Sequence, residues 1–304
     1  MRAKLDMKAR VPVLRSCAYA GLLAFVVLCS AAVPATALDY REDFDAPGRP
    51  AAPPDIVWRR KTQLSSLSDW RKLIPGDGFA YLSVEKDRLR KDPLKPSFWP
   101  FKKLWIKPEW PFISVHPFLP FQTLAFGPVG PNHRISMRAA NAAIPGVACF
   151  LFTYREKRTF DEIDIEIVPG DTQGTDPGHR TGPGGGWTDV RLNTWAKANR
   201  RSLLPMCVNK QPIRDGRGMR VSHRDGRFHV YSIEWRPQSV RIYIDDVLQK
   251  VIDSLVPQSP ATVIFGMRQA PWSGGPPWSG MQTMQVDWVS IEPLNPESES
   301  RADG

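Results

Sequence analysis

From residue 134 onward the chain is a succession of short runs rich in β-branched and aromatic residues. "RISMRAA", "VACFLFTY", "EIDIEIV", "TDVRLNTW", "FHVYSIEW", "VRIYIDDVL", "ATVIFGMR" and "MQVDWVSIE" each read as a strand, and Gly, Pro, Asn or Asp clusters separate most of them. None repeats its apolar residues at a 3.6-residue period over three turns. Consecutive short strands without helices between them argue for antiparallel sheets packed face to face, a sandwich or jelly roll.

The start of the chain does not share this pattern. Arg2, Lys4, Lys8, Arg10 and Arg15 precede an apolar run from Ala18 to about Val33, which ends in small residues at Ala35 to Ala37. This is the three-part pattern of a secretory signal peptide, so residues 1–37 are expected to be removed. The alternative, a membrane anchor, is disfavoured because the run is short of the about 20 residues that a span needs. A lipoprotein use of Cys29 is disfavoured by Leu28, which stands where a small residue is expected. Export predicts a secreted or periplasmic protein with no membrane partner after cleavage, and it sets genomic nucleic acid aside.

The remaining chain, 38–304, is long enough for one substantial core and reads as a single domain over 38–293. We expect it to be a monomer. Of the 41 Lys+Arg and 31 Asp+Glu, the leader carries five and one; 36 against 30 leaves a formal charge of +6. That charge suits an acidic polysaccharide or an anionic envelope surface and says nothing about fold. Cys149 and Cys207 remain after processing, as a disulfide or as two buried thiols. There is no CxxC or HExxH, and the five histidines are scattered, so no zinc-type site stands out. "GPGGG" at 182–186 lacks the Lys and Ser/Thr of a phosphate loop and reads as a flexible connection.

Residues 92–131 carry nine prolines among many Trp and Phe. Proline at that density sustains neither helix nor central strand, and disordered linkers are poor in aromatics. The segment therefore reads as a long ordered insertion over the sandwich, as a cleft wall or as simple cover. The polar tail 294–304 reads as disordered.

The feature richest in chemistry is "FDEIDIEIVPG" at 160–170. Side chains alternate along a strand, so Ile163, Ile165 and Ile167 share the core face while Glu162, Asp164 and Glu166 share the other. Three like charges in a row cost stability, which points to a role in a cleft. Glu162 and Glu166 have α-carbons roughly 13 Å apart. Side chains leaning together bring their carboxyls within the ~5–5.5 Å of a retaining glycosidase, in which one carboxylate attacks the anomeric carbon and the other protonates the leaving oxygen. Asp164 between them would help to set the two unequal pKa values. An acidic edge strand or a calcium-binding rim is the plainer alternative.

"DEIDIE" resembles the signature of glycoside hydrolase family sixteen. "GVACFLFTYR", "GRFHVYSIEWRPQSVRIYIDD" and "MQVDWVSI" are similar to the family's flanking strands, and "REDFD" at 41–45 is a fainter match to its first. The resemblance covers about 134–292. It implies a concanavalin A-like β-jelly-roll of two antiparallel sheets, one concave and carrying the substrate cleft. It implies Glu162 as nucleophile, Glu166 as general acid/base and Asp164 as the assisting residue. It implies no cofactor for catalysis, and a structural calcium by analogy. The expected activity is a retaining endo-β-glycosidase acting on a β-glucan-type or acidic bacterial polysaccharide; a transglycosylase on the same site and a non-catalytic carbohydrate-binding sandwich are the alternatives.

Alternation in "WTDVRLNTW" puts Arg191, Asn193 and Trp195 on one face. The resemblance implies that this face meets sugar, with Trp195 stacking on a ring and Asn193 and Arg191 binding hydroxyls or a carboxylate. Phe152 and Trp187 are further candidates for substrate binding, whereas Trp235 and Trp288 are expected in the core. "IFGMRQAPW" departs from the family by placing Gly266 and Arg268 where Asn and Trp are usual. Arg268 beside Arg191 predicts a positive cleft and an acidic or substituted polysaccharide. The hairpin turn reads Asp245-Asp246 in place of Asp-Gly, a change expected to touch only turn energetics.

Overall fold

The strand-like runs form strands, with "VRIYIDDVL" making two strands and the turn between them, and most bury one face. The computed structural model describes residues 38–62, 69–85, 121–156, 158–170, 186–199, 204–269 and 280–295. In chain order the elements are β1 (Tyr40–Glu42), β2 (Arg59–Thr62), the single-turn helix α1 (Trp70–Leu73), β3 (Ala80–Glu85) and β4 (Phe121–Val129). There follow β5 (His133–Ala140), β6 (Val147–Glu156), β7 (Phe160–Pro169), β8 (Thr188–Asn199) and β9 (Leu204–Pro212). The last are β10 (His229–Trp235), β11 (Val240–Ile244), β12 (Val247–Ile252), β13 (Ala261–Gln269) and β14 (Met281–Pro293). Among the described residues no helix is long and apolar enough to cross a membrane.

The strands form two seven-stranded antiparallel sheets, the jelly roll expected of the sequence. One runs β1-β14-β5-β10-β11-β12, with β3 paired to the other end of β14. The second runs β2-β4-β13-β6-β7-β8-β9. The inner faces share one apolar cluster. Ile163, Ile165 and Ile167 of β7 and Val190 and Leu192 of β8 belong to it, as do Ile135 and Met137 of β5 and Tyr231, Ile233 and Trp235 of β10. Trp235 is fully buried, and its indole N–H donates to the Pro257 carbonyl at 2.8 Å. Cys149 is a free, buried thiol.

Two expectations are corrected. Trp288 lies outside the core, with the Arg41 guanidinium 4.5 Å from its ring centroid. The β14–β5 ladder shifts register between Val286 and Trp288. A bulge moves the alternation by one residue, so the core positions pass from Met284 and Val286 to Val289 and Ile291. Second, residues 121–129 are not part of an insertion but form β4, hydrogen-bonded on both sides between β2 and β13. Pro128 is tolerated there because the ladder with β13 shifts register where it falls, between Ala261 and Val263. Residues 92–120 of the proline-rich segment, the leader 1–37 and the tail 296–304 lie outside the described residues.

The turn from β11 to β12 shows how Asp-Asp replaces Asp-Gly. Asp245 and Asp246 both have positive φ, 49° and 59°. Asp tolerates this region better than most residues. Asp245 is also held in place: Oδ1 accepts from the Val230 N–H at 2.8 Å, and Oδ2 lies 2.7 Å from His229 Nδ1.

Candidate active site

The outer face of the second sheet is laid out by register. Tyr154, Glu162 and Trp195 lie abreast on β6, β7 and β8. The next row is Ile264, Phe152, Asp164 and Asn193, and the one after it Gly266, Phe150, Glu166, Arg191 and Lys210. A fourth row holds Arg268 and Ala148. The isoleucines of β7 face the core, and the three carboxylates face away from it, as alternation requires.

This face is not an open acidic surface. Asp164 and Glu166 are buried, and Glu162 is partly exposed. The Glu162 and Asp164 carboxyls are hydrogen-bonded to each other. Asp164 Oδ2 also accepts from the Asn193 amide and from the Trp195 indole N–H, both at 3.2 Å. Glu166 is gripped by cations. Its Oε1 accepts from Arg268 Nη2 at 2.7 Å, and its Oε2 lies 3.3 Å from Arg191 Nη1 and 3.5 Å from the Asn193 amide.

Burial drives the Glu162 carboxyl well above the usual carboxylate range; the charge and hydrogen bond of Asp164 and the charge of Glu166 add to this, against Arg268. Burial and the Glu166 charge push Asp164 up to about 7, while hydrogen bonds from Glu162, Asn193 and Trp195 hold it down. Glu162 and Asp164 therefore behave as a pair that shares a proton over a single charge.

The other candidates fall into two groups. Arg191, Asn193, Trp195 and Arg268 join the carboxylates, and all four touch them directly. The Trp195 ring also packs on Phe160 at 5.3 Å. Phe152 is on the same face beside Asp164, its ring 5.1 Å from that of Phe150. Trp187 stands apart: its indole donates to Asp189 Oδ1 at 2.7 Å, and the Arg220 guanidinium lies 4.8 Å from the ring centroid.

Asp161 was not singled out in the sequence. Its Oδ1 accepts from the Lys197 N–H at 2.6 Å and its Oδ2 pairs with Arg155 at 3.3 Å, at the bulge where the β7–β8 ladder shifts register between Phe160 and Glu162. No local sequence signal announces a bulge. Phe150 and Tyr154 were also missed, although the alternation of β6 that selects Phe152 selects them equally.

The donor set does not suggest a metal at these carboxylates, since Arg191 and Arg268 already supply positive charge. Among the described residues, the one group with metal-like spacing is His223, His229 and Asp245. It is composed differently: His229 lies between two carboxylates, 2.7 Å from Asp245 and 3.1 Å from Asp225, and stacks on His223 with ring centroids 3.6 Å apart.

The sequence model of the glycosyl hydrolases family 16 matches residues 126–290, a span that contains all three carboxylates. Among solved structures, a prokaryotic β-1,3-1,4-glucanase (lichenase) derived from a mouse hindgut metagenome is similar, with 17% identity and a TM-score of 0.51 over 84% of this chain and 99% of that one. The catalytic domain of an endo-1,3-β-glucanase (laminarinase) from Thermotoga petrophila RKU-1 has 14% identity and a TM-score of 0.52 over 84% and 97%. An immunostimulatory antigen and pseudo β-1,3-glucanase of Mycobacterium tuberculosis has 13% identity and a TM-score of 0.51 over 85% and 100%. At such identities the likeness is one of fold. No curated protein matches the chain.

Proposed function

This chain belongs to the glycosyl hydrolases family 16 and is a glycosidase, and from that premise we propose that it is an exported, retaining endo-β-glycosidase of a polysaccharide. The observation that carries the reading is the carboxylate face of β7: a proton-sharing Glu162–Asp164 pair beside a separately held Glu166.

The shared proton is favoured on Glu162 and must pass to Asp164 before Glu162 is the ionised nucleophile. Glu162 attacks the anomeric carbon as the glycosidic C–O bond breaks, and Glu166 gives a proton to the departing oxygen. Water then attacks the same carbon, returns a proton to Glu166 and releases Glu162. Asn193 and Trp195 donate to Asp164 and fix its orientation. Phe152, Phe150 and Tyr154 offer apolar surface along the same face, suited to stacking on sugar rings. No step calls for a cofactor.

The test is chain-length change in lichenan, laminarin, xyloglucan, agarose and a succinylated acidic exopolysaccharide, using residues 38–304 beside Glu162→Ala. Wild type should shorten at least one polymer with retention of the anomeric configuration. Glu162→Ala should lose about 10⁴-fold or more of that rate, as expected when a covalent catalyst is removed. Equal cleavage by the variant would remove Glu162 from the chemistry. Products longer than the substrate, formed when an oligosaccharide acceptor is added, would mark a transglycosylase on the same carboxylates.

A further inference from the structure

The connection between β9 and β10, residues 213–228, carries a charge that the catalytic chemistry does not use. It holds Arg214, Arg217, Arg220, Arg224 and Arg227, two aspartates and no lysine. Five arginines against two aspartates leave +3, half of the +6 of the chain after residue 37. Both aspartates are engaged by the backbone. Asp215 Oδ1 accepts from the Arg217 and Met219 N–H groups at 3.0 and 2.9 Å, and Asp225 Oδ1 accepts from the Arg227 N–H at 3.0 Å. The sequence Asp-Gly-Arg thus makes the same contact twice, at 215–217 and at 225–227. In each, the aspartate meets its arginine side chain at Nε, 3.6 Å away in the first and 3.8 Å in the second, and the arginine side chains are 89% and 84% exposed. Arg220 and Arg224 are exposed as well.

The loop is fixed to the sandwich. Ile213 and His223 are buried beneath it. Thr188, the first residue of β8, holds both of its arms. The Thr188 N–H donates to the Val221 carbonyl, its carbonyl accepts from the Ile213 N–H, and its Oγ1 accepts from the His223 N–H, each at 2.9 Å. Arg214 is spent within the turn, donating to the Gly218 carbonyl at 2.6 Å. Arg217, Arg220, Arg224 and Arg227 are left on the surface of this frame, which adjoins the active face. The Trp187 carbonyl, one residue before β8, accepts from the Gly170 N–H at 2.9 Å. Gly170 lies four residues past Glu166, roughly 13 Å along the strand. The Arg220 guanidinium in turn lies 4.8 Å from the Trp187 ring centroid.

We propose that loop 213–228 is a second docking surface for an anionic polysaccharide, on which Arg217, Arg220, Arg224 and Arg227 hold carboxylates of the polymer that the active face cleaves. The proposal rests on the glycosidase reading above and narrows the substrate to a polymer bearing acidic groups. A guanidinium matches a carboxylate through its planar fork. One exposed ion pair is weak, but several on one chain raise the local concentration of scissile bonds beside the carboxylates of β7. An anionic membrane is the less suited occupant. Met219 is the one large apolar side chain exposed on the loop, whereas binding in a membrane interface needs an apolar face as well as charge.

The experiment measures binding and turnover separately. Binding is titrated with residues 38–304 carrying Glu162→Ala, on a succinylated acidic exopolysaccharide before and after carbodiimide–borohydride reduction of its carboxylates to alcohols. Arg217→Gln, Arg224→Gln and Arg227→Gln together should raise Kd for the acidic polymer about 10-fold, the scale expected for the loss of three exposed charge pairs. They should leave the reduced polymer unchanged and flatten the salt dependence of binding. Lysine at the same three positions, which keeps the charge without the fork, should fall between. In the active chain the triple Gln change should raise KM on the acidic polymer by a similar factor with kcat unchanged, and spare oligosaccharides too short to reach the loop. An equal Kd for the acidic polymer with and without the three arginines overturns the docking surface, as does an equal loss on the reduced polymer. Weaker binding to vesicles of anionic phospholipid, with polymer binding unchanged, assigns the loop to a membrane instead. Arginine-dependent binding of the acidic polymer, with no cleavage of any polymer by wild type, would keep the docking surface and sink the glycosidase reading.

Discussion

At the residue scale the site depends on how Glu162 and Asp164 divide one proton. Asp164→Asn removes the neighbouring charge and the carboxyl hydrogen bond, both of which raise the Glu162 carboxyl. Glu162, whose carboxyl is raised first by burial and then by Asp164, should move down but remain above the ordinary range. The ionised nucleophile then persists to lower pH, so the acid limb of kcat/KM should shift downward. The rate itself should fall by about 10² or more, because the residue that orients the nucleophile has changed. A pH–rate profile of the variant checks both effects; an acid limb at the wild-type position would mean that Asp164 does not tune Glu162.

At the element scale, β7 works only because its neighbours are in register with it. The isoleucine face anchors the strand: Ile165 is fully buried, and Ile165→Ala should cost about 2–5 kcal/mol in urea unfolding. A loss below about 1 kcal/mol would mean that the site collapses freely around the gap. β13 carries a second constraint. Gly266 has φ +154°, and a Cβ there would lie 2.2 Å from the Gln122 carbonyl oxygen of β4. Gly266→Ala must push β4 away, and it should destabilise the fold by more than about 2 kcal/mol and lower activity, since Arg268 is two residues on. Unchanged stability would show that β4 yields without cost.

At the scale of the whole molecule, the paired histidines under the β11–β12 turn tie stability to pH. Burial, with the charge of His229, lowers the pKa of His223 to about 4. His223 thus stays neutral in the fold, while in the unfolded chain it takes a proton below about 6.5. The unfolded state then binds more protons, and stability falls as the pH drops from about 6.5 to about 4, by up to about 3 kcal/mol. His229 acts the other way. Burial lowers its pKa, but Asp245 and Asp225 outweigh this and raise it, so it contributes stability at low pH that fades as the pH rises through its folded pKa. His223→Gln should be less stable than wild type at pH 7, with a smaller further loss on going to pH 4. Urea midpoints at pH 7, 5 and 4 check this, and a loss equal to that of wild type would clear His223.

The strands, the sheet-forming class and the carboxylate face of β7 were legible because each rests on the local period of two, which sets the faces of a strand whatever packs upon it. Glu162, Asp164 and Glu166 were therefore placed together correctly from eleven residues of sequence. Trp288 was misplaced because one bulge inverts that period, and β4 because a proline at a register break looks like a proline that forbids a strand. The pairing of Arg268 with Glu166 was out of reach for a different reason. It joins residues 102 apart in sequence and exists only because β13, β6 and β7 lie side by side. The chain alone settles which side chains share a face, since that follows from backbone geometry; which charges meet across the strands follows from sheet order, and that is a property of the folded whole.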